Sequence, residues 1–264
     1  MNEAVEAAHR DGILQAASLM VAAPAAADAV ARARRLPSLR VGLHLTLVDG
    51  RPLLPAEVVP QLVDAHGNFP GDPVRAGISI FFSPRARRQL ARELAAQFEA
   101  FRATGLSLDH VNAHKHFHLH PTVGRAVIDI GAGFGLKAVR VPAEPVELLA
   151  AVDGRRIVRP PASRGPWAVL LRSRLGRHGL LTSDRCVGET WSGAMTEERL
   201  AGVLGRLPAG VTEIYCHPAT SDRFDGAVRG FRYAEELAAL LSPRVAALAR
   251  RPQLRLAAFG DLSR

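Results

Sequence analysis

Cysteine is almost absent from this chain. Cys186 and Cys216 are the only two in 264 residues, too few for a disulfide framework or a thiolate zinc site, so both read as small buried apolar residues. Cys216 does precede His217, but neighbours on a strand point to opposite faces, which argues against a Cys/His catalytic pair. Aromatic residues make up only 5% of the chain. No stacking platform therefore accompanies the basic side chains, and nucleic acid is not the expected partner. Uninterrupted apolar runs long enough to span a bilayer are missing, and Met1-Asn2-Glu3-Ala4-Val5-Glu6 has neither the basic nor the apolar part of a secretory signal. The expectation is a cytoplasmic protein, with at most a peripheral place on the inner face of the membrane.

Acidic side chains are outnumbered, with 25 Asp and Glu against 34 Lys and Arg and a net charge of +9. The excess is uneven. Arg155, Arg156, Arg159, Arg164, Arg172, Arg174, Arg177 and Arg185, set against Asp153 and Asp184, contribute +6 of it. Within this segment Trp167-Ala168-Val169-Leu170-Leu171 reads either as part of a solvated helix that covers the core or as a basic amphipathic helix. In the second case the stretch from Arg155 to Arg177 would touch an anionic membrane or an acidic substrate.

What the chain does have is apolar content of 48%, enough for a substantial core in a single domain over residues 1–264. Strand patterns at 13–21, 39–47, 106–112, 137–141, 211–216 and 254–258 alternate with helical ones at 2–11, 24–36, 83–105, 121–130, 196–207 and 233–250. Thr196 is the expected cap of the fifth helix. Residues 48–84 and 153–195 hold Gly and Pro without sustained periodicity and read as insertions or irregular segments. Repeated strand-then-helix units imply an α/β fold with a mainly parallel sheet, barrel-like and closed or nearly closed.

Histidine supplies the sharpest chemical signal. Five of the ten fall between His110 and His120, and neutral imidazole is both a common transition-metal ligand and the usual acid or base near pH 7. His44, His114 and His217 each lie at or just past the carboxyl end of an expected strand, where ligands and catalytic groups gather in α/β folds. Gly42 allows close backbone approach beside His44. The five clustered histidines cannot all be ligands, because a catalytic divalent site takes about three protein donors and keeps a position open.

Three pieces of sequence, Gly42-Leu43-His44, the run Asn112-Ala113-His114-Lys115-His116-Phe117-His118, and Glu213-Ile214-Tyr215-Cys216-His217-Pro218, resemble the YdjC-like family of metal-dependent carbohydrate deacetylases, which includes ChbG-type enzymes acting on chito-oligosaccharides. Asn2-Glu3-Ala4-Val5, Val139-Arg140-Val141-Pro142-Ala143-Glu144-Pro145 and His217-Pro218-Ala219-Thr220 resemble its hopanoid-biosynthesis-associated HpnK branch. The resemblance implies that His44 and His114 bind one divalent metal ion, magnesium or zinc, and that His217 donates a proton. His116 and His118 would line the substrate pocket, and Arg140 would orient the sugar. The implied fold is an irregular, TIM-barrel-like α/β structure. The implied substrate is an amino sugar or glycolipid, in the branch an N-acetylglucosaminyl group on a hopanoid. The family also has a first strand bearing Asp-Asp-Phe-Gly ahead of the Asn-Glu-Ala-Val helix, which supplies a metal ligand and the catalytic base. That motif is not in this sequence, where Met1 directly precedes Asn2, and neither Asp49 nor Asp109 matches it. The chain as written is therefore expected to show little or no deacetylase activity, the motif being lost either to a start assigned too late or to a real truncation. Another metal-dependent hydrolase, such as a phosphoesterase, and a non-catalytic metal-binding protein are the alternatives.

Overall fold

The computed structural model describes residues 1–154 and 164–262. The first helix, α1 (Asn2–Arg10), carries Glu3 in its first turn and His9 and Arg10 in its last, as the helix dipole favours, and buries Ala4 and Ala8 one turn apart. It leads to β1 (Ala16–Leu19), α2 (Ala26–Arg34) and β2 (Arg40–Leu45). In β2 the successive residues Val41, Gly42 and Leu43 are all buried, the pattern of a parallel strand covered on both faces.

A short helix, α3 (Pro73–Phe82), breaks at Ser83, and α4 (Pro84–Ala103) starts at the next residue. Segment 48–84 is therefore not irregular throughout. Asp72 caps α3 by accepting from the amides of Val74 and Arg75, and Pro73 occupies the first turn, where its missing N–H costs nothing. The 20-residue α4 buries Leu90, Leu94, Phe98 and Phe101 on one face. Two polar residues share that face. The carboxylate of Glu93 accepts from Leu53 and Leu54 amides at 2.8 and 3.0 Å, and Gln97 exchanges hydrogen bonds with both backbone groups of Thr46. The chain leaving β2 is thereby fastened to α4.

Next come β3 (Leu108–Ala113), a 3₁₀ turn (His114–Leu119) and α5 (Pro121–Gly131). Strand order is β1-β2-β3, all parallel, with a register shift between Val41 and Leu43. Residues 137–141 run beside β3, with Val111 N–H on Ala138 O at 2.9 Å and Arg140 N–H on Val111 O at 3.0 Å. The expected strand there is realised as isolated bridges to Val111 and Leu181. After α6 (Val146–Asp153) and α7 (Arg164–Arg177), β4 (Arg185–Val187) pairs in parallel with β5 (Thr212–Ile214). Between those two strands lies α8 (Glu197–Leu204). Thr196 is its cap by position but makes no side-chain bond to it.

The expected helix at 233–250 is two helices, α9 (Tyr233–Leu241) and α10 (Pro243–Ala249), because Pro243 cannot continue α9 and Ser242 caps α10 instead. Residues 254–258 form no strand and lead into a 3₁₀ turn (Phe259–Asp261). The stretch buries Ala258 but leaves Leu256 39% exposed, so it has no single buried face, and no sheet edge receives it. The result is a mixed α/β fold with two parallel sheets of three and two strands, and no closed barrel among the described residues.

Apolar side chains pack in two clusters. One joins β1, β2 and β3 to α4, α5 and α7, and the other gathers Val187, Trp191 and Met195 with α8, α9 and α10. No described helix is long and apolar enough to cross a membrane. Of the basic segment, Arg155, Arg156 and Arg159 lie outside the described residues. On α7, Arg172 donates to the carbonyls of Ser183 and Asp184, and Arg174 to that of Pro121, so these two guanidiniums fasten the helix to the protein.

Candidate active site

Strand register places the first histidine. His44 stands opposite Asn112 in the β2–β3 pairing, and its Nδ1 lies 2.6 Å from Asn112 Oδ1. A carbonyl oxygen only accepts, so Nδ1 carries the proton and Nε2 keeps its lone pair. The same amide donates from Nδ2 to Ser18 Oγ at 2.9 Å, the Ser18 hydroxyl meets His110 Nε2 at 2.9 Å, and His110 Nδ1 meets Asp109 Oδ2 at 2.8 Å. A polar chain thus crosses three strands from Asp109 to His44. Burial opposes ionisation of Asp109, but His110 and the amides of Gly260 and Phe259 together outweigh it and hold the carboxyl below its usual range. Gly42 is what admits the His110 ring, since a Cβ there would lie 2.5 Å from its Cε1 and Nε2.

The even-numbered histidines that follow do not share a face, because β3 ends at Ala113 and the chain turns through Lys115 and His116 with φ of 51° and 54°. Left-handed backbone in non-glycine residues costs about 1–3 kcal/mol each and collects at functional sites. Asp49, with φ of 51°, joins this turn from the other side through a 2.6 Å ion pair with Lys115. The turn sends each imidazole elsewhere. His114 packs edge-on against His44 with ring centroids 5.8 Å apart, and Asp49 Oδ2 is 4.0 Å from its Nε2. His116 Nε2 reaches Tyr215 Oη at 3.0 Å. His118 is fully buried and donates from Nε2 to Arg140 O at 2.8 Å. It therefore braces the backbone of Arg140 and exposes no surface to a pocket. His120 packs against Phe117, beside Gly77 of α3.

On the other side of the site, Glu213, Tyr215 and His217 share one face of the chain running through and past β5. Arg140, 8% exposed, gives Nε and Nη2 to one oxygen of Glu213 at 2.8 and 2.7 Å, and its guanidinium lies 4.4 Å over the Tyr215 ring. With those nitrogens committed, Arg140 sets the floor of the site. His217 stands between Tyr215 and Phe231, with ring centroids 5.7 and 5.5 Å away, and its backbone N–H donates to the buried Glu236 of α9. The buried Nδ1 of His217 has no hydrogen-bond partner among the described residues.

Electrostatics tie the three strand-end histidines together. Burial lowers His44 to a pKa of about 3, opposed by its bond to Asn112 and aided by the positive potential of His114, Arg140 and His217. His217 falls to about 4 through burial, Arg140 and His114. His114 is lowered by burial against the pull of Asp49. All three are neutral at pH 7, the state in which imidazole can bind a cation or accept a proton. The structure therefore brings together His44, His114 and His217, with His116 at their edge, while Arg140 and His118 lie beneath. Sequence reasoning missed Asn112, Ser18, Asp109 and His110 as a connected chain, and it gave no role to Glu213 and Tyr215. The spacing of two between Glu213, Tyr215 and His217 was the available signal.

His44 and His114 suit two positions around a divalent ion, being neutral and adjacent with a free lone pair on His44 Nε2. Among the described residues, no three His, Cys, Asp or Glu side chains are placed to hold one ion. Asp49, the carboxylate beside His114, is engaged by Lys115.

A carbohydrate deacetylase from Geobacillus stearothermophilus is 32% identical over 94% of this chain and 86% of its own length. One from Brevibacillus brevis is 28% identical over 89% and 82%. A crystal structure from Enterococcus faecalis V583, described as a candidate cellobiose-phosphate cleavage protein, superposes with a TM-score of 0.75 over 98% of this chain and 91% of its own. At 22% identity that likeness speaks to the fold alone. The model of the YdjC-like protein family matches residues 1–251, which include every histidine of the site, and the chain belongs to that family.

Proposed function

We propose that this protein is a metal-dependent carbohydrate deacetylase, a hydrolase that cleaves the amide of an N-acetylated amino sugar. The observation that carries the reading is the meeting of neutral His44, His114 and His217 at the carboxyl ends of strands, in a chain whose relatives include carbohydrate deacetylases. Within the family, Val139 to Pro145 and His217 to Thr220 favour the HpnK branch, with an N-acetylglucosaminyl hopanoid as substrate.

His44 and His114 would supply two donors to a divalent cation, magnesium or zinc. Such an ion brings Lewis acidity to the amide carbonyl and to the attacking water. The remaining work falls to the protein. His217 would give a proton to the departing amine nitrogen, so that acetate and a free amine leave, while the water's proton would go to a carboxylate base, the part that the family resemblance gives to an acidic motif this sequence does not contain. Tyr215 and His116, joined by their 3.0 Å hydrogen bond, present polar groups to the sugar, and the Arg140–Glu213 pair holds Tyr215 from below. His118 acts through Arg140.

Acetate release from N-acetylated chito-oligosaccharides and from an N-acetylglucosaminyl lipid, with and without added metal, tests the activity and ranks the two substrates. His44→Ala and His114→Ala should each lower bound metal, and His217→Ala should abolish acetate release while leaving metal content unchanged. Undiminished metal in both of the first two variants would show that the site is misassigned.

A further inference from the structure

The α3 helix is apolar on both sides. Its inner face, Ala76, Gly77 and Ile80, packs against the protein, with Gly77 close to the His120 ring. Its outer face is bare. Val74, Ile78, Phe81 and Phe82 are exposed to 67%, 57%, 50% and 73% of their full surface. Their spacing puts all four within one stripe of the helix. A contiguous exposed apolar patch marks a binding surface.

Charge identifies what fits. Between Asp72 and Glu93 the sequence has five arginines and no Asp or Glu. Arg75 borders the stripe on α3, while Arg85, Arg87 and Arg88 occupy the opening turns of α4 immediately after the Ser83 break. All four are exposed, and none has an ion-pair partner among the described residues. Asp72 is turned to the α3 amides as their cap. We propose that the α3 stripe docks the protein on an anionic lipid bilayer. The aromatic and aliphatic side chains would enter the boundary between headgroups and acyl chains by about 5–10 Å, and the arginines would meet lipid phosphates.

A second copy of the chain is a poorer occupant. Two-fold pairing of this stripe would set Arg75, Arg85, Arg87 and Arg88 against their own equivalents, with no acidic side chain between Asp72 and Glu93 to answer them. The stripe also adjoins the site. Phe81 faces His120 at a centroid distance of 6.3 Å, and the carbonyl of Gly71 just ahead of α3 accepts from Lys115 at 3.5 Å. A bilayer seated on α3 would lie beside the turn that carries His114 and His116. The inference uses nothing of the reaction and stands or falls separately from it.

Vesicle co-sedimentation of the full chain tests the proposal, with phosphatidylcholine alone and with phosphatidylcholine containing phosphatidylglycerol. Binding is expected only to the anionic vesicles and should weaken as salt rises. Replacing Arg85, Arg87 and Arg88 together by Gln should reduce affinity on the order of a hundredfold. Phe81→Ser with Phe82→Ser should reduce it at least about tenfold. Leu256→Ser, at an exposed apolar residue far along the chain, should leave it unchanged. Circular dichroism and a thermal melt check folding, and Phe82→Ser alone serves if the pair misfolds. No binding of the parent chain to anionic vesicles, or undiminished binding of the Phe variants, would overturn the proposal. So would sedimentation velocity showing a dimer that the Phe variants disperse.

Discussion

His44 owes its usefulness to a proton it does not release. The polar chain from Asp109 through His110, Ser18 and Asn112 has one polarity, set at its far end by a carboxylate that can only accept. Asp109→Asn replaces that acceptor with an amide able to donate to His110 Nδ1. The His110 proton would then sit on Nε2, the Asn112 amide would turn over, and His44 would carry its proton on Nε2. Nitrogen-15 chemical shifts of His44 should report this change of tautomer, with divalent-metal affinity falling about 10–100-fold, the usual effect of losing an outer hydrogen bond. An Asp109→Asn protein whose His44 still carried its proton on Nδ1 would show that the chain does not set the tautomer. Gly42 belongs to the same device, because any larger residue would displace the His110 ring.

At the scale of elements, Ser83 decides where one helix stops and the next begins. Its N–H still bonds to Ser79 O at 2.9 Å, while its Oγ accepts from Ala86 N at 3.1 Å and opens α4. Ser83→Ala should cost about 1 kcal/mol in urea denaturation, and Ser83→Asp should restore most of it. A change below a few tenths of a kcal/mol would show the cap to be idle. The same stretch shows what was legible in the sequence. The start of α4 could be read because Leu90, Leu94, Phe98 and Phe101 recur at helical spacing against arginines. Hidden beside it, α3 is apolar on both faces and offers no contrast for periodicity to detect, although Asp72-Pro73 signalled its start. Residues 254–258 erred the other way, since a short apolar run specifies neither a buried face nor a sheet partner, and Leu256 there is exposed. The strand ends bearing His44 and His114 were readable from flanking aliphatic residues. The left-handed turn through Lys115 and His116, which scatters the later imidazoles, leaves no mark in composition.

For the whole molecule, burial of neutral histidines makes stability depend on acid. His118 is fully buried, and its pKa falls to about 4 chiefly because burial penalises the charged ring. An unfolded chain binds that proton near pH 6.5, so the folded state loses ground as pH falls from about 6.5 toward 4 and is unaffected above about 7. His44 and His217 have lowered values of the same sign. For His118 alone the loss is up to roughly 3 kcal/mol. Thermal melts at pH 7 and pH 4.5 should show a smaller acid penalty in His118→Gln, whose side-chain amide can still donate to Arg140 O. Equal penalties in the two proteins would mean that His118 already gains its proton in the folded state.

The two apolar clusters give this scale a further meaning. His44 and His114 ride on the first sheet, whereas Glu213, Tyr215 and His217 ride on and just beyond β5, packed with the second cluster. Only a few polar contacts bridge them inside the site, chiefly Arg140 to Glu213 and His116 to Tyr215. The candidate site is therefore a coincidence detector, complete only while elements packed with both clusters are seated against each other. Mild heat or denaturant that loosens the contacts between the clusters should lower activity before the fold as a whole is lost.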